Sequence, residues 1–197
     1  FGRPASVFAA VDPMCDACIS GDVAVVEELL KDPNTELGIN IMSGKSPFHE
    51  AAVRGHDTIV SLFLEDDRVD MNQLNATGET VLGLCCEAHC TSTVDILLQQ
   101  KELQVNLRNC DGFAPIHIAC RKGFCDIVEL LLGHPDVEVN LGSQLGFPLQ
   151  IACSKSPEIT KLFLADPRVD VPGNHPLPLS VACSHCKPDI MKILLAD

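Results

Sequence analysis

Apolar residues recur along this chain in paired short bursts. Between Asp57 and Leu64 they fall at Ile59, Val60, Leu62, Phe63 and Leu64; Val25, Val26, Leu29 and Leu30 repeat the pattern, as do Ile127, Val128, Leu131 and Leu132. Spacings of i, i+1, i+4 and i+5 place these side chains along one side of a short helix with a buried face. A second burst precedes each of these, as in SPFHEAAVRG and APIHIACRKG. There the Ser46 hydroxyl is placed to accept a backbone N–H, and Pro47 fits the first helical position, where its missing N–H costs nothing. Gly21, Gly55 and Gly123 stand where a left-handed residue closes that first helix. Asp32-Pro33, His134-Pro135 and Asp166-Pro167 stop the second, because proline cannot continue a helix. The linking segments VDMNQLNATGE, LQVNLRNCDGF and VEVNLGSQLGF are turn-rich and read as protruding loops.

These helix pairs recur at a fixed interval. Asp12, Ser46, Thr80 and Ala114 open equivalent segments 34 residues apart, and looser copies start at Phe147 and Leu177, after 33 and 30 residues. A constant period in this range signals a solenoid, in which each unit buries its apolar face only against its neighbours. The expected architecture is therefore all-α: residues 1–11 as a lead-in and 12–197 as one array of six helix pairs with projecting turns.

Composition narrows the core and the partners. With 46% hydrophobic residues but no Trp, no Tyr and 8 Phe, the core is aliphatic and built on small side chains. No apolar run approaches the roughly 18 residues of a membrane helix, so no membrane insertion is expected. A net charge of −13 disfavours nucleic acid, whose binding draws on lysine and arginine neutralising phosphates. Of the 11 cysteines, Cys18, Cys86, Cys120, Cys153 and Cys183 occupy one repeat position, with Ala52 in the remaining copy. That is a ladder rather than a set of pairs. Helices pack at about 8–10 Å, beyond the roughly 7 Å Cα separation that a disulfide spans. Free thiols and a reducing compartment, cytoplasm or nucleus, follow from this reading.

Ser46-Pro47-Phe48-His49-Glu50-Ala51 and Ala114-Pro115-Ile116-His117-Ile118-Ala119 resemble the T-P-L-H-x-A signature of ankyrin repeats, and the pattern Gly-x-x-x-[Ile/Val]-Val-x-x-Leu-[Leu/Phe] that follows resembles that family's second helix. The resemblance covers about Asp12 to Asp197. It implies a curved stack of helix–turn–helix units with β-turn fingers, binding proteins without catalysis or cofactor. It also implies that His49 and His117 hydrogen-bond neighbouring turns, and that Asn72, Asn106 and Asn140 tie their loops together. The chain departs from the family in carrying one extra residue per copy relative to the usual 33, and in placing His89 and Cys186 at the turn glycine.

Other chemistries compete for the same residues. His117 and Cys120, at i, i+3, form a conceivable nucleophilic dyad, but Cys120 is a ladder position and a buried thiol is inert. Cys86, His89 and Cys90 read as one helical face, and Cys15/Cys18 and Cys183/Cys186 as C-x-x-C pairs. A structural zinc needs four ligands, and the sequence offers no matching second pair. Phosphate-loop, G-x-S-x-G and H-E-x-x-H motifs are absent. Because Phe1 is not a start methionine and the last helix stops where a further connection would begin, the chain reads as a fragment, with a targeting or regulatory segment of a larger enzyme as the alternative. The apolar Ile190, Met191, Leu194, Leu195 stripe is expected to lie open at the end of the array, which would then fray after Phe163.

In this register the fingers and the inner helix face carry the partner-binding residues. They are Met42, Lys45 and Arg54 in the second copy, Leu74 and Glu79 in the third, Arg108, Phe113, Arg121 and Lys122 in the fourth, and Leu145, Phe147 and Lys155 in the fifth. The middle of this face is basic with apolar tips, whereas acid dominates the outer helices. An acidic, partly apolar protein segment is the expected partner.

Overall fold

The structure is a computed structural model that describes residues 12–40, 43–169, 180, 182 and 187–194. Its helices are α1 (Pro13–Ser20), α2 (Val23–Leu30), α3 (Pro47–Val53), α4 (Asp57–Leu64), α5 (Val81–Ala88), α6 (Thr91–Leu98), α7 (Pro115–Lys122), α8 (Cys125–Gly133), α9 (Pro148–Lys155), α10 (Pro157–Ala165) and α11 (Pro188–Leu194). No strand occurs among the described residues. α1, α3, α5, α7 and α9 pack side by side as an inner row, while α2, α4, α6, α8, α10 and α11 form an outer one. The core lies between the rows.

Helices of two turns are marginal alone; here each is fixed by its ends and by burial. Asp12, Ser46 and Thr80 accept backbone N–H groups at the starts of α1, α3 and α5, and Gly21, Gly55 and Gly123 take φ of 77°, 70° and 83° where α1, α3 and α7 end. In the fifth pair the two-residue turn shrinks to Ser156, which ends α9 and caps α10 through Ile159 N–H. The ladder positions Cys18, Ala52, Cys86, Cys120 and Cys153 are all fully buried; their small size lets inner and outer rows approach closely. Facing them across the outer row are Ile59, Thr93, Ile127, Ile159 and Ile190, equally buried, whereas the matching Val25 is 41% exposed. The one polar member of this column, Thr93, donates to Asp57 at 2.6 Å. Ile190 therefore turns inward, against the expectation that its stripe lies open; Leu195 and the finger expected over 171–176 lie outside the described residues.

The fingers are turns headed by asparagine. Asn75 Oδ1 accepts from the N–H groups of Thr77 and Glu79, and Asn109 Oδ1 from those of Asp111 and Phe113. Gly44, Gly78 and Gly112, with φ of 68°, 72° and 78°, close the turns in a conformation that would strain other residues. The connections are stapled from one pair to the next. Asn72 Nδ2 donates to Glu102 O while its Oδ1 accepts from Gln104 N–H, and Asn106 makes the same two bonds with Asp136 O and Glu138 N–H. Asn140 donates to Arg168 O. These asparagines thus tie each loop to the following one.

Candidate functional site

Chemistry-bearing residues of the inner row go mainly to structure. His49 and His117 are fully buried. Each sends Nε2–H to a carbonyl of the next connection, Gln73 O at 3.2 Å and Leu141 O at 2.6 Å. His49 Nδ1 meets the Ser46 hydroxyl, and His117 Nδ1 accepts from Ala114 N–H. Burial holds both imidazoles below their ordinary pKa, so they are neutral. Gln150 stands in the same slot and accepts from Phe147 N–H.

The thiols behave alike. The nine described cysteines are free. Burial pushes Cys15 and Cys18 up to about 12 and Cys153 to about 11, and carries Cys120 well above its usual range. Burial thus keeps Cys120 as the thiol, whereas a nucleophile beside His117 would need the thiolate. Cys86, His89 and Cys90 do not share a helical face, contrary to the sequence reading. α5 ends at Ala88, His89 takes φ 63°, and Cys90 caps α6 with its thiol toward Val53 O. The His89 ring stacks on Phe124 at 3.9 Å and reaches Asp126 at 3.0 Å. Among the described residues no group of three potential ligands converges as a metal would require; Cys183 and Cys186 lie outside them.

The inner face is built from finger bases and the last turns of the inner helices. Its centre is the fourth pair. The Arg121 guanidinium lies over the Phe113 ring at 5.1 Å, a cation–π contact. Glu87 of the preceding pair reaches both Lys122 at 2.7 Å and Arg121 at 3.9 Å. Arg108 donates to Gly112 O at the base of the same finger. Arg121 and Lys122 thus share one carboxylate, which leaves one positive charge in excess among these three side chains. In the second pair Arg54 is tied to the buried Glu50, so the positive charge there is matched. Lys155 is exposed at the end of α9.

Phe113 departs from its expected place as an exposed tip. It is 7% exposed, because its N–H and C=O are both bonded to Asn109, which swings the ring inward under Arg121 and toward His117. The apolar tips that do face solvent are Leu74, 42% exposed, and Leu145, 54% exposed. Phe147, Lys45 and Glu79 are half-buried, the last receiving Asn75 Nδ2 and Thr77 hydroxyl bonds within its finger. Met42 lies outside the described residues. Sequence reasoning missed Glu87 as the bridge and Glu50 as a buried acid. The signal for Glu50 was its i, i+4 spacing to Arg54; the repeat register puts Glu87 on the same face as Arg121 and Lys122, but no local pattern marks the pairing, since its partners lie one repeat on.

Comparisons with known proteins agree with this architecture. The family model described as ankyrin repeats, three copies, matches residues 14–109 and 49–143, well over half of the chain. A crystal structure of EF0377, an ankyrin repeat protein, superposes with a TM-score of 0.80 at 20% identity, covering 94% of this chain and 97% of that one. Among curated proteins the chain has no match.

Proposed function

The chain belongs to the ankyrin repeat family, a family of protein-interaction modules, and from that premise we propose that its inner face between Lys45 and Lys155 captures an acidic, partly apolar segment of another protein. The observation that carries the reading is the platform of Arg121, Lys122 and Phe113 with Glu87. Arg121 is held by the ring beneath it, so little side-chain freedom is lost when it takes a carboxylate. Glu87, 40% exposed, already sets one carboxylate against these two cations, which supports the reading. Leu74 and Leu145, both exposed, flank this centre and offer it apolar contacts. The negative outer helices orient the molecule, so that an acidic segment approaches the inner face first.

Two double substitutions test the reading. Arg121→Glu with Lys122→Glu should weaken binding at least tenfold, about 1.4 kcal/mol, whereas Glu27→Lys with Glu28→Lys on α2 should change it little. Titration calorimetry with the partner protein, or with a synthetic peptide of aspartate, glutamate and leucine as a stand-in, reads the difference. The reverse pattern would move the interface to the outer helices.

A further inference from the structure

Gly133 is a glycine that the fold does not require. It closes α8 at the place held by Lys31, Glu65 and Gln99 in the preceding pairs. Its φ is not positive, and a side chain built on it would meet nothing within 4 Å. At a helix end glycine is favoured where it takes the left-handed conformation, which Gly133, the last residue of α8, does not. With neither backbone conformation nor crowding calling for it, Gly133 leaves its backbone open to close approach.

What surrounds Gly133 fits such an approach. On one side α6 and α8 flank a groove of about 530 Å³ floored by Leu98 and Leu130, and on the other α8 and α10 flank one of about 430 Å³ floored by Leu132 and Leu162. Gly133 lines both, so the absent side chain joins them across α8 like a saddle. Glu129 also lines both, and Asp95 lines the first. Among the described residues neither carboxylate is ion-paired. The cation at the edge, Arg168, is committed to Asp166 and to the Leu132, His134 and Pro135 carbonyls. An apolar floor with a negative wall is complementary to apolar side chains on a basic backbone segment.

We infer that the outer face across α6, α8 and α10 is a second docking surface, taking a protein segment in which leucine-like side chains are flanked by lysine or arginine and whose backbone crosses at Gly133. It is independent of the inner face and of opposite charge preference, so one molecule can hold an acidic and a basic segment together. A short fluorescein-labelled peptide with two leucines flanked by arginines serves as probe, with a control in which the leucines are serines. Fluorescence anisotropy at about 0.15 M salt, where diffuse charge effects are screened beyond about 8 Å, should show saturable binding of the leucine peptide only. Gly133→Gln should weaken it about tenfold while leaving the melting temperature equal or higher, and Asp95→Asn with Glu129→Gln should weaken it several-fold. Glu27→Lys with Glu28→Lys, a larger charge change away from the grooves, should not. No saturable binding, equal binding of the serine peptide, or unchanged affinity in Gly133→Gln overturns the inference. Loss of inner-face binding in Arg121→Glu/Lys122→Glu leaves these results unaffected, so the two readings fail separately.

Discussion

His117 shows how one residue couples local sequence to tertiary structure. Its neutral ring accepts from Ala114 N–H and donates to Leu141 O. Protonation would place two donors face to face at Nδ1, on a ring that is fully buried. His49 sits in the same slot beside a hydroxyl, which can turn to accept and so suffers less. Burial lowers both pKa values from 6.5. The unfolded chain therefore takes up these protons first, and the stability they contribute is complete above about 6.5 and lost as pH falls through and below it, by up to about 1.4 kcal/mol per pH unit per histidine. Asp126 and Asp166, held below 3.8, contribute their loss only at more acid pH. Urea midpoints should fall between pH 7.5 and 5.5, and His49→Gln with His117→Gln should flatten that limb, since Gln150 already fills the slot once. An unchanged acid limb in the double variant would show that other groups titrate.

At the scale of elements, the outer helices are held by arginines as well as by leucines. Arg168, after α10, donates to the Leu132, His134 and Pro135 carbonyls at the end of α8, and Arg68, after α4, donates to Leu30 O and Asp32 O at the end of α2. Helix C-terminal carbonyls lack intrahelical partners, and a guanidinium offers several fixed donors at once where an ammonium offers a single point. Each is oriented by its own carboxylate, Asp166 or Asp66, at 2.6 Å. Arg168→Ala should destabilise by about 1–3 kcal/mol, and Arg168→Lys should recover less than half of that, as read from urea midpoints. Full recovery by lysine would mean that charge, not the fork of donors, matters. The Asp-x-Arg spacing was visible in the sequence; that its target is the preceding helix end was not, because the contact spans more than thirty residues.

For the whole molecule, stability follows nearest-neighbour packing. In a solenoid each unit gains from the faces on both sides, so the middle pairs are held twice. The buried columns from Ile59 to Ile159 are continuous, whereas Val25 at one end is 41% exposed. In the last pair Met191 and Leu194 are half-buried around a fully buried Ile190. Amide exchange measured on this chain should be slowest in α5 to α8 and fastest beyond Phe163, with α2 intermediate. Equal protection in α6 and α11 would show that the array unfolds as one cooperative unit.

The helix pairs of the first five copies and the ladder of small residues were legible in the sequence, because an interval of 33 to 34 residues with one apolar face per helix leaves each unit to bury that face against its neighbours. The sequence also determined the family, through Pro47, His49, Pro115 and His117. The roles of individual side chains on the surface were decided only by the tertiary structure. Phe113, apolar and next to a turn, read as an exposed tip until Asn109 bonded both of its backbone groups and turned the ring under Arg121. Cys86, His89 and Cys90 shared a face on paper until His89 took a left-handed conformation and ended α5. Glu87, Arg121 and Lys122 became one site only when α5 and α7 packed side by side. Periodicity specifies which face of a helix is buried; which residue of the next repeat lies opposite is set by the packing between repeats, and no local pattern encodes it.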